Sequence, residues 1–221
     1  MFDIVGYGGA MSVALQGSLL DAVGDATAPA LRPLNRTERS PLSQGAWIDL
    51  LPGWLTGADL LFDQLAEHVP WRAERRPMYD RVVDVPRLLS FYDEDDELPH
   101  PVLADAKSAL SRRYRAELGE PFRTAGLCFY RDGKDSVAWH GDRIGRGDSE
   151  DTMVAIISIG APRDLLLRPR GGGRTLRHRL GHGDLLVMGG SCQRTWEHAV
   201  PKTAKPVGPR ISIQFRPRGV R

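Results

Sequence analysis

Trp139-His140-Gly141-Asp142 is the stretch of sequence around which the predicted fold is organised. In a β-strand, side chains two residues apart point to the same face, so His140 and Asp142 face one way and Gly141 faces the other. A His and a carboxylate on one face offer two ligands to a metal ion. A third ligand must then come from a different strand, so the pattern favours a fold in which two strands meet at one site.

His198 is the candidate for that third ligand. It lies within residues 194–200, whose aromatic and β-branched side chains are typical of a strand. Two His residues and one carboxylate can hold Fe(II) on one side and leave its other positions open. The alternative is that both His residues are ordinary polar groups of the surface or core, and a His-x-Asp pair alone does not separate the two interpretations.

Composition describes a globular protein with one sizeable core. The chain has 221 residues, of which 41% are hydrophobic and 26% charged, and its net charge of +2 permits nucleic-acid binding without requiring it. Two cysteines, Cys128 and Cys192, are too few for a disulfide scaffold. No apolar run reaches membrane-spanning length and the N-terminus lacks a signal-peptide layout, so we expect a cytoplasmic protein without a membrane partner.

The order of the predicted elements indicates the fold class. Residues 1–45, rich in Gly, Ala, Ser and Pro, are expected to form a loosely structured arm before a domain spanning 46–221. Thr56 can cap a first helix, and a second follows Pro101 and stops at Gly119. Short strands are then expected at 124–130, 137–142, 152–159, 165–168, 175–180, 184–188, 195–200 and 211–215. This order predicts an α+β fold, a double-stranded β-helix (jelly roll) core backed by N-terminal helices.

The last predicted strand carries a second set of candidate binding residues. Ile211, Ile213 and Phe215 alternate with polar residues, so Arg210 and Arg216 share the face that points away from the apolar side. Two arginines on one face can bridge a short dicarboxylate. Cys128 and Tyr130 likewise share a face of their strand, and the tyrosine hydroxyl is a further donor. The alternative is a pair of surface arginines or a phosphate contact.

Several motifs in a fixed order resemble one known family. They are Tyr130-Arg131-Asp132-Gly133, His140-Gly141-Asp142, Ile157-Ser158-Ile159-Gly160 with Arg163-Asp164, His182-Gly183-Asp184 with the apolar run after it, His198, and the stretch from Pro209-Arg210 to Phe215-Arg216. Together they resemble the AlkB family of Fe(II)/2-oxoglutarate-dependent dioxygenases over about residues 47–218.

The resemblance implies roles for individual residues. His140, Asp142 and His198 match the iron ligands. Contacts to the cosubstrate 2-oxoglutarate fall on Tyr130, on Arg210 at the distal carboxylate and on Arg216 nearer the metal, with Cys128 and Ser212 at two positions where the family often has asparagine. Ser158 and His182 fall within motifs of the fold and are interpreted as structural.

The implied reaction is oxidative dealkylation of N-alkylated bases in DNA, with RNA as a further substrate, releasing an aldehyde, succinate and CO2. The base would be presented single-stranded or flipped out of a duplex. A segment at about 71–100 that mixes aromatics with arginines suits nucleotide recognition, and so does the arginine-rich glycine turn within 168–179; in both cases a solvated loop or hairpin is the alternative. The candidate substrate residues are Arg87, Tyr92, Arg143, Arg170 and Arg174.

Two other functions stay open. One is a 2-oxoglutarate-dependent dioxygenase acting on tRNA, protein or a small molecule; the other is a jelly-roll binding module without enzymatic activity. After the His-x-Asp pair, nucleic-acid repair members commonly carry acidic residues, whereas this chain continues Arg143-Ile144-Gly145-Arg146. We expect a monomer that contacts nucleic acid.

Overall fold

The computed structural model describes residues 27–78 and 81–220, and it describes only the backbone of residues 76–78 and 81–83. Short 3-10 turns lie at Leu34–Arg36, Ser43–Gly45 and Arg146–Asp148. The other elements are β1 (Ala30–Leu31), β2 (Glu38–Pro41), β3 (Ala46–Leu51), β4 (Leu55–Thr56), α1 (Ala58–His68), β5 (Arg72–Met78), β6 (Arg81–Tyr92), α2 (Pro101–Leu118), β7 (Thr124–Tyr130), β8 (Val137–His140), β9 (Val154–Gly160), β10 (Arg163–Pro169), β11 (Leu176–Leu180), β12 (Asp184–Gly190), α3 (Cys192–Thr195), β13 (Trp196–Val200) and β14 (Arg210–Arg216).

Two antiparallel sheets form the body of the described chain. The larger has the strand order β2-β3-β12-β9-β14-β7-β6-β5, and the smaller has the order β11-β10-β13-β8. A separate pair joins β1 to β4. Sequential strands repeatedly cross from one sheet to the other, as β9 to β10 and β11 to β12 do, which is the jelly-roll arrangement. The predicted jelly-roll core backed by helices is confirmed.

The larger sheet separates two apolar clusters, because alternate residues of each strand point to opposite faces. On its outer face, side chains of α1 and α2 such as Leu61 and Leu110 pack against Ile211, Ile213 and Phe215 of β14. On its inner face, a second cluster fills the space between the sheets; it includes Ile48, Val154, Ile156, Leu186 and Met188 of the larger sheet and Leu165, Leu167, Leu180, Trp196 and Val200 of the smaller sheet and its flank. Burial of each of these aliphatic side chains contributes roughly 1.5–3 kcal/mol to the free energy of folding.

The second predicted helix is confirmed and the predicted cap of the first is wrong. Helix α2 begins at Pro101, where the side chain of His100 accepts a hydrogen bond from the backbone N–H of Val102, and Gly119 ends it with a φ of 75°. The residue before α1 is Gly57, with a φ of 63°, whereas Thr56 belongs to β4. A Cβ at position 57 would lie 2.2 Å from the carbonyl oxygen of Thr27, so only glycine fits there.

The predicted strands of the C-terminal half are all present, with ends shifted by one or two residues. Residues 71–100 gave no periodic pattern, yet they contain the β5–β6 hairpin, which adds two strands to the edge of the larger sheet. Of the segment 1–45, residues 1–26 lie outside the described residues, and the remainder contributes β1, β2 and two 3-10 turns. Among the described helices, none has the length and apolar character needed to cross a membrane.

Both cysteines are free and buried. Burial raises the pKa of the Cys192 thiol to about 12, so it stays protonated and unreactive at neutral pH. The fold therefore gives Cys192 a structural place in the core.

Candidate metal and cosubstrate centre

Strand pairing in the smaller sheet brings the three predicted metal ligands together. His140 on β8 lies directly opposite His198 on β13, and their ring centroids are 4.2 Å apart. Asp142 follows two residues after His140, in the loop that leaves β8. One ligand atom from each of the three residues lies within 4.8 Å of the other two. This is the only such cluster of three His, Cys, Asp or Glu residues in the described part of the chain.

Hydrogen bonds and charges around the three side chains suit a metal ion. The Nδ1 of His140 lies 2.9 Å from the carbonyl oxygen of Ala138, which suits a protonated Nδ1 and leaves the Nε2 lone pair free. Burial, reinforced by His140, lowers the pKa of His198 to about 3, so its ring is neutral. Burial alone would raise the pKa of Asp142, but Arg216 and the two imidazoles outweigh it and hold that pKa well below its usual range. Two imidazoles and one carboxylate suit Fe(II).

Three residues outside the predicted set of ligands shape the Asp142 loop. The backbone N–H of Asp142 donates to Oε1 of Gln193, a buried residue of α3, over 3.0 Å. A Cβ at Gly141 would lie 2.4 Å from the carbonyl oxygen of Gln193, and one at Gly147 would lie 2.0 Å from that of Asp142. Both positions therefore require glycine, because the backbone approaches too closely for a side chain. Of the two, only Gly141 could be noticed in the sequence, because it stands between two predicted ligands.

A cavity of about 450 Å³, including its mouth, opens between the sheets beside these ligands. All five side chains predicted to contact a cosubstrate line it, namely Cys128, Tyr130, Arg210, Ser212 and Arg216. Burial raises the pKa of Tyr130 to about 12, so its hydroxyl remains a hydrogen-bond donor at neutral pH.

Arg210 is a buried cation with unused hydrogen-bonding capacity. Its side chain is almost fully enclosed, and its Nε donates to Oγ of Ser158 over 2.9 Å. The guanidinium carbon lies 5.2 Å from the ring centre of Tyr130. Within the described chain no Asp or Glu forms an ion pair with Arg210, and its Nη1 is buried without a hydrogen-bond partner. Since an unpaired buried charge is costly, this arrangement suits a carboxylate ligand.

Arg216 connects the cavity to the metal ligands. Its Nε donates to Oδ2 of Asp142 over 2.7 Å, and both side chains are mostly buried. It therefore lies closer to the metal cluster than Arg210, which stands six residues earlier on β14. Both arginines line the same cavity, an arrangement that suits a ligand with a carboxylate at each end.

Comparison with known proteins identifies this site. The model of the 2OG-Fe(II) oxygenase superfamily matches residues 48–216. The human alpha-ketoglutarate-dependent dioxygenase alkB homolog 3 is 32% identical over 203 residues, which cover 77% of this chain and 67% of the relative. The bovine protein of the same name is 34% identical with the same coverage. The chain belongs to the AlkB family of 2OG-Fe(II) oxygenases.

A more distant relative and two solved structures are consistent with membership of this family. DNA oxidative demethylase ALKBH2 of Arabidopsis thaliana is 28% identical, over 70% of this chain and 60% of its own. OsALKBH1 has a solved structure that covers 82% of this chain and all of its own, with a TM-score of 0.57 at 16% identity. An oxidoreductase of the 2OG-Fe(II) oxygenase family from Burkholderia pseudomallei gives a TM-score of 0.54 at 14% identity, over 76% of this chain and 84% of its own. The two structures support the fold.

As an AlkB-family dioxygenase, the chain uses Fe(II) and 2-oxoglutarate, and its site fits both groups. His140, Asp142 and His198 would hold the iron, since they form a close cluster of suitable donor atoms. The orphaned Nη1 of Arg210 and the hydroxyl of Tyr130 would hold the distal carboxylate of 2-oxoglutarate. Ser158 and His182 have the structural roles expected of them, because Ser158 accepts from Arg210 and Nδ1 of His182 accepts from the backbone of Gly160.

The candidate substrate residues of this AlkB-family chain lie in different places. Arg87 lines the same cavity, and its Nη1 donates to the carbonyl oxygen of Ser136. Tyr92 packs on the helix-facing cluster, on the opposite side of the larger sheet, so the structure does not bring it to the cavity. Arg143 forms an ion pair with Asp148 in the loop after Asp142. Arg170 and Arg174 are exposed at the β10–β11 turn.

Arg168, in the same arginine-rich hairpin, is engaged in a clamp behind the iron ligands. Its Nη2 lies 3.0 Å from Oε2 of Glu197, and its guanidinium carbon lies 4.1 Å from the ring centre of Trp139. Glu197 and Trp139 immediately precede the two ligand His residues in the sequence. Arg168 thus ties together the outer faces of the two strands whose inner faces carry the ligands.

We expect Arg168→Ala to destabilise this AlkB-family protein by about 1 kcal/mol, the sum of a partly exposed ion pair and a cation–π contact. The free energy of unfolding should be measured by urea titration of the metal-free protein. The matched control is Arg177→Ala, which removes a single exposed ion pair with Asp164 on the neighbouring strand and should change that free energy by less than about 0.5 kcal/mol. Equal effects of both substitutions would contradict the clamp.

Proposed function

We propose that the chain removes N-alkyl groups from bases of DNA, with RNA as a second substrate. The observation that carries the proposal is the 34% identity, over 77% of this chain, to a relative named as an alkB homolog dioxygenase. The DNA oxidative demethylase from Arabidopsis, at 28% identity, supports the choice of nucleic acid. The expected products are succinate, CO2, an aldehyde and the restored base.

The placement of basic residues supports a polyanionic substrate. The backbone N–H of Arg170 donates to the carbonyl oxygen of Thr195, at the end of α3, and Gln193 of the same helix holds Asp142. The β10–β11 turn, with exposed Arg170 and Arg174, is therefore connected through α3 to the loop of the metal ligand. Exposed arginines suit contacts to phosphates.

Bound Fe(II) and 2-oxoglutarate supply the oxidation of a C–H bond of the alkyl group by O2. The residues of the chain bind and orient these groups and shield them from solvent. Arg210 and Tyr130 fix one end of the cosubstrate, and Arg216 keeps Asp142 ionised and correctly turned. The position of the ligands between two sheets requires that a target base leave its stack, which favours single-stranded nucleic acid or a flipped base.

Turnover of 2-oxoglutarate with different nucleic acids tests this proposal. The purified protein with Fe(II) should form succinate and formaldehyde in equal amounts with single-stranded DNA carrying N-methylated bases. Unmethylated DNA of the same sequence is the matched control and should give no formaldehyde. If methylated DNA and methylated tRNA both fail to stimulate succinate formation, the nucleic-acid proposal is wrong.

The segment after Asp142 favours tRNA, protein or a small molecule as the second candidate substrate. Repair members commonly carry acidic residues there, whereas this chain has Arg143, whose partner is Asp148, and Ile144, which is 72% exposed. Stimulation by methylated tRNA alone would select that second candidate. We further propose that the protein works as a monomer in the cytoplasm.

A further inference from the structure

Gln214 supplies the only side-chain amide among the described residues that line the cavity. It lies on β14 between the two cosubstrate arginines in sequence, on the same face as Ser212 and Arg216. It is half-buried at the cavity wall, and the sequence pattern assigned it no role. Its neighbours Cys128 and Ser212 occupy the two positions that are often asparagine in the AlkB family.

The carboxamide of Gln214 contacts both of those positions and one arginine. Its Nε2 donates to Oγ of Ser212 over 2.9 Å and to Sγ of Cys128 over 3.5 Å. Its Oε1 accepts from Nη2 of Arg216 over 3.4 Å. Cys128 and Ser212 have short side chains, so one longer amide reaches across both.

The strand beside β14 leaves room for this arrangement. Gly126 of β7 is the cross-strand partner of Gln214. A Cβ at position 126 would lie 3.0 Å from Nη1 of Arg216 and 3.4 Å from Oε1 of Gln214, so any side chain there would push on both groups. A glycine in a strand interior often marks such a close approach.

We propose that Gln214 is a positioning residue for 2-oxoglutarate, whose one amide takes the place of the two asparagines often found at positions 128 and 212. It acts through Arg216, which it holds at Nη2 while Asp142 holds it at Nε. With Nε and Nη2 of the guanidinium both held, Arg216 is presented to the carboxylate end of 2-oxoglutarate nearest the metal ligands. Without the amide, the guanidinium is held at one end only and must be ordered when the cosubstrate binds.

The test measures cosubstrate binding without turnover. The full chain is loaded with Mn(II) under argon, and its affinity for 2-oxoglutarate is measured by calorimetry. Gln214→Met keeps the volume and removes the amide, and we expect it to raise the Kd about tenfold, as the loss of a hydrogen bond to a charged group does. Gln214→Ala should raise it by a similar factor. The Kd for Mn(II) itself, measured in the same variants, should not change.

A second substitution tests whether an amide at position 212 can replace the one at 214. Adding Ser212→Asn to Gln214→Ala should restore the Kd for 2-oxoglutarate to within about threefold of wild type. One regained hydrogen bond contributes about 1 kcal/mol, which offsets most of a tenfold loss of affinity. The proposal is overturned if Gln214→Met binds 2-oxoglutarate as wild type does, if Mn(II) affinity falls in parallel, or if Ser212→Asn gives no recovery.

The proposal rests on the 2-oxoglutarate site and not on the proposed nucleic-acid substrate. If methylated DNA and tRNA fail to stimulate succinate formation while the Gln214 variants lose cosubstrate affinity, only the substrate proposal fails. If nucleic acids stimulate turnover while the Gln214 variants bind 2-oxoglutarate normally, only the role of Gln214 fails.

Discussion

Replacing Asp142 with asparagine is expected to lower the affinity for Fe(II) by more than about 100-fold, since even a lost outer-shell partner of a metal ligand costs 10–100-fold. The substitution keeps the size of the side chain, but it removes the only anionic ligand of the cluster and leaves Arg216 without its counter-charge. Anaerobic titration with Fe(II) or Mn(II) measures the affinity, and succinate formation should fall with it.

Asp148→Asn is the matched control for this prediction. Asp148 lies in the same loop and pairs with Arg143, but it is exposed and is not part of the ligand cluster. Its replacement should leave metal affinity within about twofold of wild type, because an exposed ion pair contributes less than about 1 kcal/mol. Equal losses in Asp142→Asn and Asp148→Asn would show that loop disruption, and not ligand loss, explains the effect.

Arg210→Met is expected to separate stability from function. The buried guanidinium has an orphaned Nη1, and burial lowers its pKa, so its removal should raise the free energy of unfolding of the metal-free protein by about 1 kcal/mol. The same substitution should abolish the stabilisation by 2-oxoglutarate, which for the wild type is about 2.7 kcal/mol at a concentration of 100 times the Kd. Urea unfolding of metal-loaded protein with and without 2-oxoglutarate measures both effects.

Arg163→Met provides the contrasting case of a buried arginine that is fully satisfied. Arg163 donates to the carbonyl oxygens of Asp132, Asp135 and Pro201 over 2.8–3.0 Å and so joins the β7–β8 loop to the end of β13. Its loss leaves buried carbonyls without donors and should destabilise the protein by about 3 kcal/mol. Destabilisation of the same size by Arg210→Met would contradict the inference that the charge of Arg210 is unpaired until an anionic ligand binds.

The period of two along the C-terminal strands made much of the site predictable. Alternation in β14 assigns Ile211, Ile213 and Phe215 to the helix side and both arginines to the cavity side, and the structure places them there. The spacing of His140 and Asp142 similarly predicts a shared face. Such local geometry depends on neighbouring residues alone, so it can be read from the chain.

Features that depend on contacts between distant segments were not predictable in the same way. Gln193 supports Asp142 from 51 positions along the chain, and Gly126 makes room for Gln214 on another strand. The same applies to Tyr92 and Arg87, which lie five residues apart on β6. Arg87 faces the cavity, whereas Tyr92 faces the helices. No local pattern in residues 71–100 indicated a hairpin, so the faces of its residues could not be assigned.

Strand β14 is the last strand of the described chain and yet lies in the middle of the larger sheet, between β9 and β7. During synthesis, β2, β3, β12 and β9 can form one half of this sheet, and β5, β6 and β7 the other. Among the described strands only β14 pairs with both halves, so the sheet stays divided until residue 216 has emerged. Closure of the sheet is therefore a late and long-range event, of the kind that slows folding. Since β14 also carries Arg210 and Arg216, a nascent chain acquires both arginines of the cavity in the same step that completes its larger sheet.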